Sequence, residues 1–202
     1  MSSILKVDEI QDTSGNNIIN ENANTVTIGK AGDTVNVVGT LQNNGSGLLS
    51  GITMADQWRL NAHDTVDSSE TDLDTGWEQV DTTGFGTIGS AMTQSSGLFT
   101  FPSTGIYFVH FEICYYGSAG ADYGRAIIRH DNGSGGYSTM VDIRDVVPNG
   151  EDIMLSCSVL FDCQNTATDK IIFYGGGNTS NLILGNTSSN KTNVTFIRLG
   201  DT

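Results

Sequence analysis

The side chains able to do chemistry are few and scattered. Asp64, Asp67, Glu70, Asp72 and Asp74 crowd one stretch. Two carboxylates flanking a sugar are what glycoside hydrolysis requires, and an oxygen-rich loop is what Ca²⁺ takes. The spacing does not match an EF-hand loop, and the run has no hydrophobic periodicity, so it reads as a solvated acidic loop. Calcium is kept as the one metal reading; no other cofactor is expected. His63, His110 and His130 have no partner at metal-ligand spacing. There is no Gly-x-Ser-x-Gly elbow, and Gly175-Gly176-Gly177 precedes no helix start on which a phosphate could sit. No catalytic residue is assigned. His110 and Glu112 share a strand face with Phe108, an aromatic that either stacks on a sugar or is covered by a neighbouring loop.

Cys114, Cys157 and Cys163 lie in strand-like runs. Cys157 and Cys163 are roughly 20 Å apart at strand rise and cannot bridge each other. Buried free thiols and a Cys114–Cys157 bridge both remain open.

The elements that carry these groups are β-strands. The chain has 202 residues, 25 of them glycine and only 2 proline, which with abundant Asn, Ser and Thr reads as many tight turns. No three-turn apolar pattern of helical period appears, so the expected class is all-β. Gly97 to Tyr116 is the organising stretch: Leu98–Phe101, a Pro102–Gly105 turn, then a strand from Ile106. Its odd positions, Tyr107, Val109, Phe111, Ile113 and Tyr115, form one apolar face by strict alternation. In Ile153–Cys163 the odd set is again wholly apolar and the even set mixed. Further strands are expected at Gln57–His63, Phe85–Met92, Ala126–Arg129, Tyr137–Val147 and Thr192–Leu199. Trp77 and Val80 are expected to pack back onto them, and residues 130–136 to form an exposed turn.

Residues 1–52 differ in composition. Short apolar pieces (4–7, 17–19, 25–28, 34–38, 40–41) alternate with Asp-, Asn- and Gly-rich turns. Such strands cannot bury enough surface alone. They read either as an intertwined trimeric β stalk ending in a glycine-rich hinge at 45–51, or as a leader that orders on a docking partner. Residues 53–202 are expected to form a separate head domain.

A net charge of −14 with nine scattered basic residues argues against nucleic acid, whose phosphates need clustered Lys and Arg. It suits high-salt water, where self-repulsion is screened. No stretch has the ~20 apolar residues of a membrane-spanning helix, and the start lacks a signal peptide's basic and apolar regions. Synthesis in a cytoplasm without membrane insertion is therefore expected. Asn-x-Ser/Thr sequons at Asn132, Asn178, Asn186, Asn190 and Asn193 are then unmodified.

Gly97, Phe99, Pro102, Gly105 and Tyr107 form a pattern that resembles the signature of trimeric jelly-roll heads, including the globular head of complement's first component and the tumour necrosis factor superfamily. Residues 156–162 and 168–172 are similar to that group's later strands, with Thr168 standing where a glycine is usual, and Val194–Gly200 to its closing strand. The first twelve residues and the repetitive tract behind them resemble the N-termini of marine bacteriophage tail-fibre proteins. The resemblance implies a jelly-roll β-sandwich head on a β stalk, a homotrimer, and a location in a phage virion. It implies as partners a second and third copy of the chain, tail or baseplate proteins at the N-terminus, and a host surface polysaccharide or protein at the head. Trimer contacts would fall on Met154, Ser156, Ser158 and Leu160. Host binding, on loops carried by a rigid sheet, would use Tyr123, Asp131, Asn132, Tyr137, Asn178 and Asn181. The alternative role is a purely structural virion component, such as a capsid fibre, baseplate spike or adaptor.

Overall fold

The computed structural model describes residues 38–39, 42–43, 46–47, 51–118, 122–177 and 180–202. The chain separates into two compact units, Met1–Leu49 and Ser50–Thr202. In the first, β1 (Gln42–Asn43) pairs antiparallel with β2 (Ser46–Gly47), over part of the expected glycine hinge. The other stalk strands lie outside the described residues, apart from Val38.

The second unit contains β3 (Ala55–Leu60), β4 (Asp64–Thr65), β5 (Thr71–Asp72), β6 (Trp77–Gln79), β7 (Thr93–Ser95), β8 (Leu98–Thr100), β9 (Gly105–Tyr116), β10 (Asp122–Asp131), β11 (Tyr137–Val147), β12 (Asp152–Cys163), β13 (Lys170–Gly175), β14 (Leu182–Ile183) and β15 (Asn193–Gly200). They form two antiparallel sheets. One runs β12-β9-β15-β3-β6, with β14 and β4 extending beside the far end of β9. The other runs β11-β10-β13-β8-β7, with β5 on β13. Apart from the β7–β8 and β10–β11 hairpins, neighbouring strands are not consecutive in the chain, and this is a jelly-roll β-sandwich.

The resembling residues have physical roles. Phe99 is fully buried between the sheets, with Trp77, Phe196, Phe173 and Trp58 rings at 5.3, 5.3, 5.5 and 5.6 Å. Tyr107 donates its hydroxyl to the Ser103 carbonyl at 2.9 Å and so ties down the Pro102–Gly105 turn. Gly97 has φ +73°, and a Cβ there would sit 2.5 Å from the Leu73 carbonyl oxygen. Only glycine fits that turn.

The alternation expected for β9 and β12 is observed. Tyr107 to Tyr115 at odd positions are fully buried, and Leu155, Cys157, Phe161 and Cys163 face the same core. The three cysteines are free. Cys114 lies opposite Met154 on the outer face of its sheet whereas Cys157 lies opposite Phe111 on the inner face, so no bridge joins them. Burial pushes the Cys157 thiol up to about 12 and the Cys163 thiol up to about 11, which makes them space-filling hydrophobes.

Two expectations are corrected. Phe85–Met92 forms no strand; it contributes isolated bridges, Thr83 with Phe85 and Ala55 with Ile88, because no neighbour offers it a continuous ladder. The acidic stretch is not wholly solvated. It contains β4 and β5, and it buries Val66, Thr71 and Leu73 against the sandwich.

Candidate functional site

Two surfaces of the head carry the side chains singled out above. The first is the outer face of the β9–β12 sheet. Met154, Ser156, Ser158 and Leu160 all point outward, opposite Cys114, Glu112, His110 and Phe108 respectively. Register places them in rows that cross the sheet. Leu160, Phe108, Ile197 and Ala55 are successive partners, and Ile88 bridges to Ala55. Leu160 is 64% exposed and Met154 50%. The sequence reading missed Ile197 and Ile88. Alternation along β15, with Val194 and Phe196 buried, was the available signal for Ile197. Ile88 had none, since only a bridge brings it there. Phe108 is half-buried and stacked parallel to His110, centroids 6.1 Å apart.

Toward β3 this face is closed. Arg59 is fully buried: its Nε donates to Glu78 at 2.7 Å, its Nη1 to Thr82 at 2.9 Å, and its Nη2 to Asp81 at 3.0 Å and to the Thr187 carbonyl. The open area is therefore β15, β9 and β12, reaching Ala55 and Ile88 at the end of β3 away from Arg59. Beside it, β12 pairs only with β9 and β11 only with β10 among the described residues, so two long strand edges flank one side of the sandwich. Val141, Ile143, Ile153 and Val159 lie partly buried there.

The second surface is the β10–β11 hairpin. Tyr123 pairs with Val146 and Asp131 with Tyr137, so eight residues separate Tyr123 from Asp131, roughly 26 Å at strand rise. The fold brings Asp131, Asn132 and Tyr137 together at one end and leaves Tyr123 at the other. Asp131 Oδ1 accepts from the Gly133 N–H at 2.8 Å and Asn132 Oδ1 from the Ser134 N–H at 3.1 Å, which shapes the turn. Tyr137 is 46% exposed and its ring lies 6.3 Å from Tyr174, itself covered by the Arg129 guanidinium at 4.5 Å. The Arg144 guanidinium lies 5.3 Å over Tyr123. Asn178 lies outside the described residues. Asn181 is fully buried, so its amide is not part of any surface; its backbone carbonyl accepts from the Val66 N–H instead.

The carboxylates near this hairpin are pinned by arginines. Arg125 forms a fork to Asp142, 3.1 and 2.7 Å, and reaches Glu70 at 3.3 Å; Arg129 reaches Glu70 at 2.6 Å. Arg129 beside Glu70, and Arg125 beside Asp142, hold both carboxyls below their ordinary values. A depressed folded pKa contributes stability that is present above the unfolded value, about 4, and is lost as pH falls through the folded one. The gap in melting temperature between the wild type and Arg125→Met is therefore expected to be full at pH 6 and to shrink toward pH 3. A gap constant across that range would show that these pairs are not the cause. Among the described residues no cluster of three or more His, Cys, Asp or Glu side chains is placed to hold a metal, and no helix is long and apolar enough to cross a membrane.

No protein-family model and no curated protein matches the chain. Solved structures do. The TNF protein Eiger from S. frugiperda superposes with a TM-score of 0.55 at 14% identity, covering 75% of this chain and 96% of that one. Murine APRIL at pH 5.0 superposes with a TM-score of 0.53 at 14% identity, covering 72% and 98%. The likeness is one of fold: the head is a TNF-like jelly roll.

Proposed function

We propose that this chain is a fibre protein of a phage virion, a homotrimer whose residues 1–52 attach it to tail or baseplate proteins and whose head, residues 53–202, binds a host surface polysaccharide or protein. The observation that carries the proposal is the apolar row through Leu160, Phe108, Ile197 and Ile88, exposed at Leu160 and Ile88 and half-buried between them, beside two strand edges unpaired among the described residues. A contiguous apolar patch marks an interaction surface, and long strand edges need cover. Face and edge are different surfaces. A contact of one against the other is heterologous, which excludes a twofold dimer and builds a ring when the rotation between copies closes. The TNF-like fold supports the same arrangement, and the tail-fibre-like N-terminus supports the virion assignment.

The mechanism is binding without catalysis. Three identical heads on one stalk multiply weak individual contacts through effective concentration. Asp131, Asn132 and Tyr137 form the favoured contact, at the turn of a rigid hairpin, with Tyr123 as a separate one. Light scattering of the full-length protein is expected to give three times the 21.5 kDa chain mass; the mass of one chain would overturn the trimer. Fluorescently labelled trimer is then offered to a panel of marine bacteria. Tyr137→Ala is expected to lower retention on a host about tenfold, as for an aromatic contact worth over 1 kcal/mol, with the mass unchanged. A trimer retained by no strain would assign the head a structural role in the virion.

A further inference from the structure

The outward face of the β9–β12 sheet is layered. Beyond the row of Leu160, Phe108 and Ile197 come two polar rows: Ser158, His110, Thr195 and Gln57, then Ser156, Glu112, Asn193 and Arg59. Beyond those, Met154 faces Cys114. The polar rows are thus bounded on both sides by apolar ones. Within them His110 Nε2 lies 3.5 Å from Glu112 Oε1, the two side chains being 33% and 32% exposed, and Asn193 Nδ2 donates to Glu112 Oε2 at 3.0 Å.

The charged groups facing this pair can be named strand by strand. On β12 the opposite residues are serines; its acids Asp152 and Asp162 lie at its ends, Asp152 with Lys191 at 3.4 Å. On β15 the neighbours are Thr195 and Asn193. On β3 Arg59 is taken up by Glu78 and Asp81. Lys191 and Arg59 are taken up by these partners, and among the described residues His110 is the one basic side chain within 4 Å of a Glu112 oxygen.

We infer that assembly of the head is proton-coupled through the His110–Glu112 pair. The inference rests on the homotrimer reading above. Covering this face removes water from a carboxylate, which disfavours its charged form unless a cation compensates it. A ring of three copies also gathers three such carboxylates. Neutral imidazole leaves them uncompensated and imidazolium balances each one. The assembled state therefore binds more protons than the separated chains, so association strengthens as pH falls through the range in which histidine changes charge, about pH 8 to 6. Ordinary carboxylates do not titrate there. The other histidines lie off these rows: His63 Nδ1 accepts from the Gly185 N–H, and His130 Nε2 is 3.2 Å from Asp169.

The test is a dilution series of the full-length protein by analytical ultracentrifugation at pH 8, 7 and 6, in salt of about 0.5 M to screen the general negative charge. The half-assembly concentration is expected to fall about tenfold or more from pH 8 to pH 6, since up to about three protons are taken up per ring. His110→Gln is expected to abolish that dependence, and Glu112→Gln to reverse its sign, since a covered imidazolium then has no carboxylate to balance it. His130→Gln, a control away from this face, is expected to keep the wild-type dependence. A trimer whose half-assembly concentration does not move with pH, or whose dependence survives His110→Gln, overturns the proton coupling alone. A wild type that is monomeric at every pH and concentration overturns the trimer itself.

Discussion

Leu160→Arg is expected to convert the full-length protein from three chains to one without unfolding the head. The side chain is 64% exposed in the single chain, so an arginine there has room, and surface substitutions of this kind change stability by about 0.5 kcal/mol or less. In a ring the same position lies in an apolar row between subunits. A charge placed at each of three contacts without a partner costs several kcal/mol per site, and the association constant is expected to fall by more than about a thousandfold. Ser95→Arg is the matched control. It is exposed, but on β7, at the edge of the other sheet far from β11, and its mass is expected to stay that of the parent. Light scattering with a melting curve for each variant decides the matter. A Leu160→Arg protein that still weighs three chains would show that this face is not what holds the three chains together.

The second large effect belongs to Asp56, which holds the start of the head together. It is 1% exposed, and its carboxylate accepts from the Gln57 and Met92 N–H groups, both at 2.9 Å, and from Trp58 Nε1 and Gln79 Nε2, both at 2.8 Å. These donors come from β3, β6 and the segment before β7, so one side chain joins three pieces of backbone. Asp56→Ala leaves buried donors without acceptors, at a cost of about 3–5 kcal/mol. At about 2–4 °C per kcal/mol for a domain of this size, the melting temperature is expected to drop by roughly 10 °C. Asp145→Ala, on the exposed β11 strand, should move it by no more than about 2 °C. A comparable drop in both would mean that Asp56 acts only through charge.

Much of the head is legible in the sequence because its long strands obey a period of two. In β9 and β12 apolar side chains occupy every odd position, and a sheet with one face in a core can satisfy that pattern in only one register. The turn at Pro102–Gly105 was equally legible, since proline and glycine state their backbone requirements locally. The same logic put Met154, Ser156, Ser158 and Leu160 on the outward face, where they lie. It failed where local pattern is silent. Phe85–Met92 has strand-forming residues, but no neighbour offers it a continuous ladder. The acidic stretch has no periodicity, yet Val66 and Leu73 are buried because a jelly roll must close its open flank.

The amino-acid sequence by itself determined the all-β class, the two long strands and their buried faces, and the absence of clustered basic charge, because each follows from composition or from neighbours within a few residues. Tertiary structure alone decided which distant residues meet. It placed Ile88 in a row with Leu160, made Asp56 a hub rather than a surface acid, and sealed Arg59 under residues 78–82 and Thr187. It also buried Asn181, divided the hairpin candidates between two ends, and set Cys114 and Cys157 on opposite faces. The physical reason is common to all of these: hydrogen bonds and ion pairs between strands far apart in the chain are chosen by sheet order and register, and neither is written in any local run of residues.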